Sequence, residues 1–334
     1  MRTPYLRAMT WPNGIEARPL DKSDVEAWAV LAADVEKVDQ DGVNLGVEDL
    51  AEQLEAPKLD LARDTIGLWA GDRMIGFGMA VVSSAVVDVD RVRTEGAVHP
   101  EWRRQGLGTA LVRWLIRRAQ ELHAENHPEV PGLVGAGTIS TNAGATTMLS
   151  GFGFEEVRYY IDMRRPLDQP VPEVPVADGF RVMPFDRAYD DAVRQAHNEA
   201  FQDHWGSTPR DPETWANRTT GTRAFRGGQS YLAMDGETIA AYVLCYEYDA
   251  NTAATGVREL YIGQVGTRRA YRGRGLARAT LAKVLAEAAQ AGYQRGALGV
   301  DADNPTGALG LYEGLGFTTH SKYINYSLPM PSDV

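Results

Sequence analysis

Hydrophobic and polar positions along the chain follow two periods in turn. Short β-branched and aromatic runs between turn residues read as strands, and apolar stripes at three- and four-residue spacing read as helices. Ile15 to Pro19 predicts a first strand. Asp21-Lys22-Ser23-Asp24 offers an N-cap to a helix that carries Val25, Trp28, Leu31 and Val35 on one stripe. Val47 to Leu54 predicts a second, short helix. Thr65–Ala70 and Met74–Val82 then read as strands joined by Gly71-Asp72-Arg73, whose Gly-Asp tip suits a hairpin. A further strand runs to Val98, and Leu111, Leu115, Ala119 and Leu122 line up as the stripe of a long helix.

The pattern then restarts. Leu167 to Pro175 carries Pro170, Pro172 and Pro175 and predicts an extended, fairly stiff linker. Phe180 to Pro184 echoes Ile15 to Pro19. A helix through Ala192 to Phe201 follows, then Pro212 to Arg218, then a hairpin of Tyr231–Ala233 and Ile239–Glu247 across Asp235-Gly236. Arg103 and Arg272 stand 169 residues apart, and Phe154 and Phe317 stand 163 apart. So steady a spacing indicates an internal duplication with one α/β domain per copy. The expected division is residues 1–166, a linker at 167–177, and residues 178–334.

The most informative stretch is Gln264 to Ala277. Glu259-Leu260-Tyr261-Ile262 and Val265 read as a strand, while Ala277, Leu281, Val284, Leu285 and Ala288 mark a helix. Between them Gly273 and Gly275 remove Cβ atoms where a ligand must come close. The first helical turn, from Leu276 and Ala277, leaves amide N–H groups unpaired at the positive end of the helix dipole. Arg272 and Arg274 add full charge. Together these residues form a candidate pyrophosphate cradle, and Val265, Gly266 and Thr267 at the strand end are further candidate cofactor-binding residues.

Arg272-x-x-Gly275-x-Ala277 resembles the Q/R-x-x-G-x-G/A signature of the GNAT superfamily of acyl-CoA-dependent N-acyltransferases. Downstream, Asn304 followed by Leu311-Tyr312-Glu313-Gly314-Leu315-Gly316-Phe317 resembles that family's last motif. Both recur in the first copy. Val98 precedes Arg103-Arg104-Gln105-Gly106-Leu107-Gly108-Thr109, and Asn142 to Phe154 follows. The whole chain is similar to tandem GNAT proteins of the mycothiol synthase type. The resemblance implies an α/β fold of two GNAT domains, each a mixed, mostly antiparallel sheet flanked by helices. In that fold the sheet splays between its fourth and fifth strands, here Glu259–Val265 and Ala297–Val300, to admit a pantetheine arm. It further implies an N-acetyltransferase that moves an acetyl group from acetyl-CoA to the primary amine of a small molecule or peptide, without a metal.

Such a transfer needs a polarised carbonyl, a proton for the leaving thiolate and a neutral amine. Backbone amides near Val265 and Gly266 suit the carbonyl, with Gly266 as the mark of a bulge. Tyr312 is the candidate acid, since a phenol of pKa ~10 can protonate a thiolate of pKa ~8–9; the other reading makes it a core aromatic. Family members often carry a water-activating Glu on this strand. Tyr261 stands at about that position, and Glu259, on the same face, is either that base or a solvated strand start. In the first copy Leu149 occupies the tyrosine's place, so that copy either binds acyl-CoA without turnover or is structural. Asn198 to Gly206 clusters polar and aromatic groups where a helix ends. His204 and Trp205 are its substrate-binding candidates, with helix-end packing as the alternative; His204 would serve as a proton relay. The rival to an enzyme is a non-catalytic acyl-CoA-binding or sensing protein.

Composition narrows the partners. Thirty-four basic residues against 45 acidic ones give a net charge of −11, a poor basis for nucleic-acid binding. Cys245 is the only cysteine, so no internal disulfide forms. His123 and His127 sit four apart on a helix that Pro128 ends, with no third ligand, so no metal site is expected. No G-K-S/T follows the glycines, which argues against a P-loop. No apolar run follows Met1, and Met74 to Val87 is too short to span a bilayer. A cytoplasmic monomer or homodimer without nucleic-acid or membrane partners is the expectation.

Overall fold

A computed structural model describes residues 11–331 except 13, 84, 203 and 304–306. In chain order the elements are β1 (Glu16–Arg18), α1 (Val25–Asp39), α2 (Val47–Leu54), α3 (Leu61–Asp64), β2 (Thr65–Ala70), β3 (Arg73–Val81), β4 (Asp90–Val98), α4 (Leu107–Asn126), β5 (Gly132–Ile139), α5 (Ala143–Gly151) and β6 (Glu155–Pro166). The second series is β7 (Phe180–Pro184), α6 (Asp190–Ala200), α7 (Pro212–Trp215), β8 (Tyr231–Asp235), β9 (Thr238–Tyr246), α8 (Asp249–Thr255), β10 (Glu259–Thr267), α9 (Leu276–Gln290), β11 (Arg295–Asp301), α10 (Ala308–Glu313) and β12 (Thr318–Pro329).

The chain forms two compact units, and they do not divide at the expected linker. One gathers the chain up to Arg158 together with Tyr323 onward; the other is Tyr159–Lys322. The copies exchange their last strands. In the first unit β12 pairs antiparallel with β5, Tyr323 opposite Ile139 and Pro329 opposite Leu133. In the second, β6 pairs antiparallel with β11, Pro166 opposite Arg295 and Tyr160 opposite Asp301. The strand orders are therefore β1-β2-β3-β4-β5-β12 and β6-β11-β10-β9-β8-β7. The proline-rich stretch is not a free tether. Leu167 is buried, and Val171 and Val174 pack against the α9 side of the second unit. Arg165, 3% exposed, donates to the carbonyls of Leu315, Gln169 and Pro170 and so fixes that stretch in place.

Each sheet carries apolar residues on both faces because helices cover both. In the first unit Trp28, Leu31, Leu50 and Trp69 form one core under α1 and α2, while Ile66, Ile75, Leu111 and Leu115 form the other under α4. In the second unit Val284, Leu285, Leu298 and Phe317 lie on the α9 side. Val193, Trp215, Tyr242 and Tyr246 lie on the α6 side. β9, between β8 and β10, is buried along its whole length after Thr238, as a central strand covered on both faces should be.

Candidate active site

Strands β10 and β11 start together and part. They pair in parallel only at Glu259–Arg295, Leu260–Gly296 and Tyr261–Ala297. Beyond that point β11 follows β6 to Asp301, while β10 follows β9 to Thr267. The register of β10 on β9 slips between Ile262 and Gln264, so Gly263 is the extra residue of a bulge. An isolated glycine inside a strand pattern is the signal that could have found it. Along the rest of β10, successive amides point alternately towards and away from β9. One of the Val265 and Gly266 N–H groups therefore faces the opening that β11 has left.

The bulge was expected at Gly266, and Gly266 has a different reason. A Cβ there would stand 2.4 Å from the ring and hydroxyl of Tyr242. A Cβ at Gly263 would likewise stand 2.4 Å from the ring of Tyr246. The two tyrosines, four apart on β9, lie across β10 on the α6 face. The Tyr242 hydroxyl shares a 2.8 Å hydrogen bond with His197 Nδ1, and His197 stacks on Phe201 at 4.5 Å.

At the far end of β10 the chain turns into α9. Gly273 and Gly275 both have left-handed backbones, φ +77° and +72°, and a Cβ at either would meet nothing within 4 Å. Gly275 is the N-cap and accepts the N–H of Ala279 at 3.0 Å. Leu276, 2% exposed, plugs into Ala233, Ala240 and Ala241 and pins the helix start to the sheet. The amides from Leu276 through Arg278 therefore face an open, glycine-lined space at a fixed place. Arg272 does not aim its side chain there. Its guanidinium donates to the carbonyls of Ala200, at 2.9 Å, and Thr267, at 3.4 Å. Arg274 lies exposed over the rings of Tyr271 and Phe180. Arg268 is tied to Glu199 at 2.6 Å. Backbone amides rather than a cluster of arginines line this space. Asn304 lies outside the described residues.

Tyr312 on α10 is 8% exposed and sits edge-on to Phe317 at 6.1 Å, in the same cluster that Val265 joins. Burial pushes its phenol up to about 12, so it holds its proton at neutral pH. Glu259 departs from the expectation. Its carboxylate is paired with Arg295 and receives a hydrogen bond from Asn251 at 3.2 Å. Six residues of strand, roughly 20 Å, separate it from Val265. The partners of Glu259 in the structure are Arg295 and Asn251 rather than solvent alone.

His204 lies elsewhere on the α6 side. Its Nδ1 donates to the Trp205 carbonyl at 3.1 Å, and its Nε2 stands 3.8 Å from Asp301 Oδ2 at the end of β11. Its ring packs on Phe201 at 5.3 Å. Asp301 was not singled out from the sequence, because only the pairing of β11 shows that its buried carboxylate meets this loop.

The first unit repeats the scaffold. β4 and β5 pair in parallel only from Asp90 to Arg93 and then part. Gly106 caps α4 at φ +85° with open space around it, but Arg104, at φ +64°, stands where the second copy has Gly273. Arg103 is folded back onto Asp39 in a two-pronged ion pair at 2.7 and 2.8 Å and donates to Val98 O. Gln105 donates to the Glu101 carbonyl, and a Cβ at Gly108 would stand 3.2 Å from Met148 Sδ. Val98, Arg103, Gly106, Gly108, Thr109 and Leu149 help to line a cavity of about 1310 Å³. Leu107 is buried beneath it. Leu149 puts a hydrocarbon where the second copy has a phenol.

Residues 40–154 and 191–317 match the family model of the Acetyltransferase (GNAT) family. A "Mycothiol acetyltransferase" of Salinispora tropica is 31% identical over 246 residues, covering 70% of this chain and 72% of that protein. Among solved structures, a GCN5-related N-acetyltransferase from Sphaerobacter thermophilus superposes with a TM-score of 0.75 at 27% identity, covering 96% and 97% of the two chains. A tandem GNAT protein from the clavulanic acid biosynthesis pathway shares the fold at 19% identity, with a TM-score of 0.70 over 96% of this chain and all of that one. The parted strands, the glycine-capped helix and their repetition in both halves thus belong to a known architecture: this chain is a tandem member of the GNAT acetyltransferase family.

Proposed function

We propose that the second unit transfers the acetyl group of acetyl-CoA to the primary amine of a small molecule, and that the first unit does not turn over. The observation that carries this reading is one difference at equivalent places: Tyr312 in the second copy and Leu149 in the first. Only the phenol can give a proton to a departing thiolate. The open amides at the start of α9 would hold the pyrophosphate, and the pantetheine arm would run along the edge of β10 that β11 has left. An amide at Val265 or Gly266 would polarise the thioester carbonyl.

The amine nitrogen then attacks the carbonyl carbon, the C–S bond breaks, and Tyr312 delivers its proton to the sulfur. His204 takes the proton that the amine must lose. Nδ1 is already occupied by Trp205, so Nε2 is the basic atom, and Asp301 stabilises the imidazolium that forms. The relatives named for mycothiol acetylation support a small-molecule acceptor. An acceptor panel on the full chain, with CoA release as the readout, tests the reading. Release should depend on a primary amine. Tight acetyl-CoA binding without release for any amine would favour a sensor instead.

A further inference from the structure

The α6 side of the second unit holds a half-buried guanidinium with no carboxylate partner and a buried hydroxyl with no acceptor, and they belong to one locality. Arg210 is rigidly placed. Its N–H donates to Asn198 Oδ1 at 2.9 Å, and its carbonyl accepts from Asn198 and Arg194. Its guanidinium donates to the Thr219 hydroxyl at 2.8 Å and lies 5.9 Å from the centre of the Trp215 ring. Among the described residues, no Asp or Glu carboxylate is within ion-pair distance of it. A guanidinium partly withdrawn from water without a counter-charge favours an anionic partner. The second donor is Tyr246, 6% exposed, whose buried hydroxyl has no hydrogen-bond partner among the described residues. Trp215, under the Arg210 guanidinium, lies in the same buried cluster as Tyr246 and Tyr242.

What is missing is an acceptor that carries charge. Its place relative to the chemistry is given by Gly263, because a Cβ at that bulge, where β10 parts from β11, would stand 2.4 Å from the ring of Tyr246. A ligand here lies beside the opened strand edge, on the face that also carries His204. The charge of the site sets the charge of the guest. Arg194 is engaged by Asp191, and burial holds His197 neutral with its pKa down at about 3. One planar guanidinium and one phenol suit a monoanionic carboxylate rather than a phosphate dianion.

We propose that the acceptor is an amino carboxylate, a small molecule bearing both the reactive amine and a carboxylate, with the latter held by Arg210 and Tyr246. This rests on the reading of the second unit as the transferase and narrows its substrate class.

The test uses the full chain with acetyl-CoA and matched pairs of L-amino acids and their carboxamides. The free acids should show at least tenfold higher kcat/KM than the carboxamides. Arg210→Gln should reduce that ratio to within about twofold, chiefly through KM, with the KM for acetyl-CoA unchanged. Arg210→Lys, which keeps the charge, and Tyr246→Phe should each retain part of the preference. Equal use of acids and carboxamides, or a preference that survives Arg210→Gln, overturns the proposal. Calorimetric binding of N-acetylated amino acids, which keep the carboxylate but cannot react, separates the two readings. Binding that depends on Arg210 without turnover of any amine upholds the subsite and removes the transferase assignment. No binding of any N-acetyl acid, alongside turnover of neutral amines, removes the subsite alone.

Discussion

The ring of Tyr242 occupies the space that a side chain at Gly266 would need: a Cβ at 266 would lie 2.4 Å from its Cε1, Cζ and hydroxyl oxygen. Tyr242 is fully buried and its hydroxyl is held by His197, so it has nowhere to swing. Gly266→Ala should therefore destabilise the chain by about 1–3 kcal/mol, the usual cost of overpacking. Chemical denaturation of the full chain checks this; an unchanged midpoint would mean that the ring yields freely.

The cradle makes a prediction that separates charge from backbone strain. Gly275→Ala imposes only the cost of a left-handed alanine, about 1–2 kcal/mol of stability. Gly275→Glu adds a carboxylate in the open space at the first turn of α9, where the positive helix end should meet pyrophosphate. Acetyl-CoA affinity of Gly275→Glu should be at least tenfold below that of Gly275→Ala, measured by calorimetry on folded protein. Equal affinities would move the phosphate site elsewhere. A chain cut at residue 178 is a poor host for this test, since it lacks β6, the antiparallel partner of β11.

His197 should make stability depend on pH. Burial lowers its pKa to about 3, while the unfolded chain offers an ordinary histidine near 6.5. Between these values the unfolded state binds the extra proton, so stability falls as pH drops from about 6.5 towards 3. His197→Asn, which can keep a partner for the Tyr242 hydroxyl, should flatten the fall of melting temperature between pH 7 and 5. An identical slope in the variant would assign the acid sensitivity to other groups.

Much of this architecture is written locally. The strand runs, the helix stripes, the glycine turns at 71 and 236 and the duplicated motifs are matters of near-neighbour chemistry, and the elements form where those patterns lie. The exchange of β6 and β12 is not local. An alternating strand encodes its faces but not which edge it will join, so a boundary at 166 followed from the repeat while the units cross it. The surroundings of Glu259 were hidden for a similar reason. Its place on the strand was legible, but Arg295, 36 residues later, claims it through the parallel pairing. Arg210 and Asp301 carried no motif. Their meaning comes from the partners they lack or meet once folded.

The phenol of α10 is the proposed acid of the second unit. Tyr312→Phe keeps the ring and its packing on Phe317 but removes the proton, and general acid catalysis is worth roughly 10²–10⁴-fold. The kcat of the full chain should fall by that range with the KM for acetyl-CoA little changed, whereas a folded Gly106→Glu chain, altered only in the first cradle, should keep its turnover. Full kcat in Tyr312→Phe would contradict the assignment of catalysis to the second unit through this residue.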